Sequence, residues 1–95
     1  MDDLTWGDIL FQREIGRARI TVSVINDIDC WSRLGLVGTL VFSGIEIARV
    51  TLYGYEPEDT DYIRSDAREV ARQTIIRAKE WLDDACGRHK KEVPA

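Results

Sequence analysis

The side chains best equipped for chemistry in this chain are two cysteines, Cys30 and Cys86, one histidine, His89, and four carboxylates between Glu56 and Asp61. Cys86 and His89 stand three apart, a spacing that lets two side chains share one helix face and one metal ion. A structural zinc wants four ligands, and only Cys30 and scattered carboxylates could complete the set, so a core thiol beside a solvated histidine is expected instead. Cys30 and the single His89 could supply a thiolate nucleophile with its base, but nothing in the sequence brings them together. Glu56, Glu58, Asp59 and Asp61 could supply a carboxylate pair, but a general acid needs burial to raise its pKa, and this loop belongs in water. Asp59-x-Asp61 is a fragment of a calcium loop without its central glycine or terminal glutamate. Neither GxGxxG nor GxxxxGK[ST] occurs, and Gly35-Leu36-Val37-Gly38 falls in or at the start of a strand. No catalytic residue, metal or cofactor is therefore expected.

The elements that would position any site are plainer. Residues 63–87 predict one amphipathic helix: at 100° per residue, Ile63, Ala67, Val70, Ala71, Thr74, Ile75, Ala78, Trp81, Leu82 and Ala85 share a face, and most of the rest is charged. Gly87 suits the left-handed capping position, and Arg88, His89, Lys90 and Lys91 set positive charge beside the negative end of the helix dipole. Residues 89–95 then read as a tail. Ile20, Val22 and Val24 alternate with Arg19, Thr21 and Ser23, the period of a half-buried strand. Residues 36–42 and 45–53 form a hairpin around Ser43-Gly44, with Ala48, Val50 and Leu52 on its inner face. Pro57 and its acidic neighbours end the sheet, and the helix starts somewhere between Thr60 and Asp66, where Thr60 and Asp61 could each cap.

The N-terminal segment admits two readings. Thr5 and Asp8 resemble a cap, and Trp6, Ile9 and Leu10 have helical spacing, which favours a short helix stopped at Gly16. Ile9, Phe11, Arg13 and Ile15 alternate as a strand turning at Gly16, which would add a fourth strand. Either way the fold class is α+β: an antiparallel meander of three or four strands, one face covered by the long C-terminal helix.

Ninety-five residues make one domain, 1–95, and the hydrophobic fraction of 44% with a charged fraction of 32% belongs to a globular chain. No apolar run nears the length of a membrane span, and the acidic start is unlike a basic signal peptide, so a cytoplasmic setting is the expectation. The net charge of −4 disfavours direct nucleic-acid binding and leans toward basic partners.

The informative positions lie on surfaces. Ile76 falls nearly opposite the core stripe, among Arg72, Lys79, Glu80 and Asp83, and is a candidate partner or dimer contact. Trp31 and Arg33 sit in a long loop and are of the types that dominate binding energies. Trp6 and Trp81 are assigned mainly to the core. Arg64, Arg68 and Arg72, four apart, form a positive stripe expected to be salt-bridged along a solvated edge. An α-β-β-β-α order invites comparison with the double-stranded-RNA-binding domain, but EPEDTD before the second helix has the wrong sign for phosphate and that family's glycine-proline-histidine loop is missing. In size, acidity and build the chain looks like small accessory proteins of phages and mobile elements, anti-CRISPR inhibitors among them. That likeness implies a non-enzymatic protein-binding module whose Glu56, Glu58, Asp59 and Asp61 engage a basic nucleic-acid-handling complex, with Trp31 or Ile76 as apolar anchor. An immunity or antitoxin-type partner and a homodimeric structural or assembly protein are the alternatives.

Overall fold

The computed structural model describes residues 4–26 and 32–91, with side chains of the helix described through residue 85. Four strands, β1 (Ile9–Ile15), β2 (Ala18–Asn26), β3 (Leu34–Phe42) and β4 (Ile45–Tyr55), are followed by one helix, α1 (Thr60–Lys91). The sheet is a fully antiparallel meander in the order β1-β2-β3-β4, and α1 crosses one of its faces. The fold is α+β, as the alternation of the strands and the stripe of the helix require.

The N-terminal segment is a strand, not a short helix. Thr5 and Asp8 do interact, the Thr5 backbone N–H donating to Asp8 Oδ2 at 2.9 Å, but with Gly7 at φ +95° they build a turn. The Gly7 N–H then donates to the Val24 carbonyl at 2.7 Å and the Val24 N–H to the Asp8 carbonyl at 2.8 Å, which leads the chain into the sheet. A bulge between Ile9 and Phe11 explains the helical look of the sequence: Leu10 is the extra residue, so apolar side chains stand in adjacent positions where strict alternation would separate them.

Both tight turns lie at one end of the sheet. Gly16 takes φ +59° between β1 and β2, while Ser43 and Gly44 take φ +50° and +84°, the two positive values of a type I′ hairpin turn. The Ser43 N–H donates to the Arg17 carbonyl at 3.0 Å, tying the two turns together. Since α1 starts at the opposite, loop end, it runs toward the turns.

The core is built from Ile20, Val22 and Val24 of β2, Leu34, Leu36 and Leu40 of β3, Ala48 and Val50 of β4, and Ile63, Ala67, Val70, Ala71 and Ala78 of α1. The closest approach is at Gly38, where an added Cβ would lie 2.3 Å from Thr74 Oγ1 and 2.7 Å from Val70 Cγ1. The missing side chain lets the helix rest on the strand. Thr74 is fully buried, and its hydroxyl donates to the Val70 carbonyl at 2.7 Å, so the helix carries no unpaired polar group into this contact.

One expectation about α1 needs correction, while its start falls within the expected range. The helix does not stop at Gly87 but continues to Lys91, so residues 89–91 are helical. Glycine costs a helix interior only about 1 kcal/mol against alanine, and here no left-handed cap follows it. Its start is at Thr60, with the Ile63 N–H donating to the Asp59 carbonyl, which puts Asp59 at the cap position. The 32-residue helix is about 48 Å long. Among the described side chains its last buried residue is Ala78, and Trp81, Leu82 and Ala85 continue the apolar stripe into solvent. The radius of gyration, 16.0 Å, exceeds the roughly 12 Å of a compact chain of this length, in keeping with that overhang.

Candidate functional site

The loop end of the molecule is closed by polar pairing. Buried Tyr55 reaches from β4 to α1, its hydroxyl donating to Asp66 Oδ2 at 2.7 Å. Gly54, at φ +94°, is an extra residue that resets the alternation and turns Tyr55 inward opposite Leu34. Burial, and then the hydrogen bond to the Asp66 carboxylate, push the phenol well above its ordinary pKa. Such a tyrosine is a held donor. Leu4 seals the core from the N-terminal side.

The expected carboxylate surface sits at this end, with Glu58, Asp59 and Asp61 exposed and Glu56 engaged in an ion pair. Glu56 is half-buried and accepts from Arg33 Nε at 3.2 Å, so the exposed Arg33 is held in an ion pair. Asp59 caps α1, Asp61 lies in its first turn where a negative charge favours the helix dipole, and Glu58 is exposed beside them. Trp31 and Cys30 lie outside the described residues, as do the side chains of Cys86 and His89. Among the described residues no group of three or more His, Cys, Asp or Glu is placed to hold a metal ion.

Ile76 is half-buried along the flank of α1 that faces β1, in a cleft with Phe11, Arg68, Ala71, Arg72, Ile75 and Lys79. It is about 22 Å along the helix from Asp61, so the structure does not join it to the acidic loop. Arg72 pairs with Glu69 at 3.4 Å, whereas Arg64 and Arg68 have no ion pair among the described residues. The stripe is therefore bridged at one of its three positions.

The turn end is the opposite of the loop end. An apolar groove of about 210 Å³ opens there, floored by Ile20, Leu40 and Ile47 and walled by Ile15, Phe42 and Leu82, with Arg13 and Lys79 at its rim. Ile47 reaches it because a bulge between Leu40 and Val41 makes it an extra residue on β4. Ile45 stands exposed at the turn beside it, and Trp81, assigned from the sequence to the core, is half exposed on the overhang. Trp6 is likewise exposed. Sequence reasoning put Leu82 and Trp81 in the core because their face was right. The missing step was length: 25 helical residues span about 37 Å, more than a nine-residue strand of about 30 Å can cover.

Compared with protein-family models, curated proteins and solved structures, the chain finds no match.

Proposed function

We propose that this chain is a non-enzymatic protein-binding module that engages its partner through the turn end. One observation carries the reading. The apolar face of α1 runs past its own sheet, and the groove at that edge leaves Ile15, Phe42 and Leu82 together at the surface, with Ile45 of the turn and Trp81 of the overhang also exposed, where a lone monomer normally keeps such patches small. Large aromatic and aliphatic side chains beside charged rims are what protein interfaces are built from. The alternative contact, an acidic surface that blocks a basic nucleic-acid-handling complex as a phage-derived, anti-CRISPR-like inhibitor would, draws support from the net charge and exposed Glu58 and Asp61. It is the weaker reading, because Glu56 already pairs with Arg33. A cytoplasmic site of action belongs to the same proposal; no described helix is long and apolar enough to cross a membrane.

A photo-crosslinking residue tests this in cells that make the protein. Placed at Leu82, it should give one discrete protein adduct; placed at Arg19 on the open sheet face, it should give none. Equal labelling at both positions, or no adduct at Leu82, overturns the reading.

A further inference from the structure

Resting on that reading, we propose that the partner presents an acidic amphipathic helix, which enters the turn-end groove and lies beside α1 over β1. The sheet is wider than one helix. Its strands stand about 4.8 Å apart, which puts β1 roughly 14 Å from β4, whereas a helix with its side chains is about 10 Å across. α1 packs most on β4 and β3 and least on β1, so a lane stays open along the helix-facing side of β1. Phe11 lines this lane against Ile75 and Ile76 of α1. Two and four residues on, Arg13 and Ile15 face the turn-end groove, which shares Ile75 and Lys79 with the lane, so the two are one continuous surface. A helix resting on β1 would lie about 10 Å from one over β3, the ordinary packing distance of neighbouring helices.

Charge says what kind of helix fits. In a chain with 17 acidic and 13 basic residues, the charged side chains lining the lane and the groove are all cations: Arg13, Arg64, Arg68, Arg72 and Lys79. The first carboxylate is Asp61, at the loop-end mouth beyond Arg64. Arg72 pairs with Glu69, and the other four cations have no ion pair among the described residues. Arg64, Arg68 and Arg72 recur about every 6 Å, close to the pitch at which carboxylates one turn apart recur on a facing helix. From Arg64 to Lys79 the lane is about 22 Å long, the length of a 15-residue helix. An acidic strand added to the free edge of β1 fits less well, because the bulge at Leu10 interrupts that edge. Phosphates fit less well too, since the floor of Phe11, Ile75 and Ile76 is apolar and the whole chain carries −4.

A second photo-crosslinking position, Ile76 in the lane, decides it beside Leu82 in the groove. Both should label the same protein, and sequencing the adduct should place the Ile76 crosslink in a segment of net negative charge with apolar residues three and four apart. Arg64→Glu with Arg68→Glu should reduce the Ile76 adduct by about 10-fold or more, and Arg64→Gln with Arg68→Gln by less. The circular dichroism spectrum and urea midpoint of both variants should be unchanged, because both side chains are exposed. The crosslinked segment, made as a fluorescein-labelled peptide, should bind the purified chain by anisotropy and lose about 10-fold in affinity between about 50 mM and 500 mM salt. A Leu82 adduct with none at Ile76 overturns the acidic helix and leaves the turn-end reading standing. No adduct at either position removes both. An Ile76 crosslink to a basic or neutral segment, to nucleic acid or to a second copy of this chain also overturns the proposal, as does one indifferent to the charge reversal.

Discussion

The two ends of this molecule are made from the same kinds of residue and are finished in opposite ways. At the loop end, the helix start is tied to the sheet by the Tyr55–Asp66 hydrogen bond, the Arg33–Glu56 ion pair crosses between loops, and Leu4 seals the core. At the turn end, the strands stop while the helix continues, and Ile15, Phe42 and Leu82 line an open groove. Periodicity alone does not distinguish the two, since it reports which face is apolar and not whether anything is there to cover it. The difference teaches that an amphipathic stripe is a request for a partner, and the chain meets that request only as far as Ala78.

Substitutions at the two ends should therefore diverge. Leu36→Ala, at a fully buried position on β3, should cost about 3 kcal/mol in chemical denaturation, while Phe42→Ala, on the same strand at the open groove, should stay below about 1 kcal/mol when measured on the monomer. Equal losses would erase the distinction. Gly38→Ala tests the junction between the ends. Its Cβ has no room against Thr74 and Val70, so about 1–3 kcal/mol should be lost as the helix is lifted.

Tyr55→Phe sharpens the picture of the closed end. Removing the hydroxyl leaves the Asp66 carboxylate without that donor and should cost about 1–2 kcal/mol near neutral pH. The pH dependence has a definite sign. The folded phenol has a raised pKa, so above the ordinary tyrosine value of about 10 the unfolded chain gives up its proton first. The contribution is complete below that pH and is lost as the pH rises toward the folded pKa; the Phe variant should lack this part of the alkaline fall. Denaturant titrations between pH 8 and pH 11 on both proteins, at about one-unit steps, would show it. The smallest effect belongs to Arg33→Ala. Its ion pair with Glu56 is half exposed on both sides, and such pairs contribute about 0.2–1 kcal/mol.

Much of the architecture was legible from the residues. The alternation of Ile20, Val22 and Val24, the Ser43-Gly44 turn and the stripe from Ile63 to Ala78 each gave the element that is present, because in each case a single periodicity spoke. The first strand was ambiguous since its bulge at Leu10 breaks the period of two, and the Thr5–Asp8 hydrogen bond serves a turn as readily as a helix. The surfaces were harder. Ile76 looked isolated on a helical projection, yet it is half covered in the cleft with Phe11, Arg72 and Lys79, long side chains that a projection of points does not represent. Arg33 and Glu56 pair across 23 positions, a contact invisible without the fold.

Gly38 gives the helix a resting point rather than a broad seat. From Thr74, which lies against it, the rod extends about 26 Å to Lys91, so a tilt of about 5° at the strand displaces the far tip by about 2 Å. The beam thus magnifies whatever happens at its fulcrum.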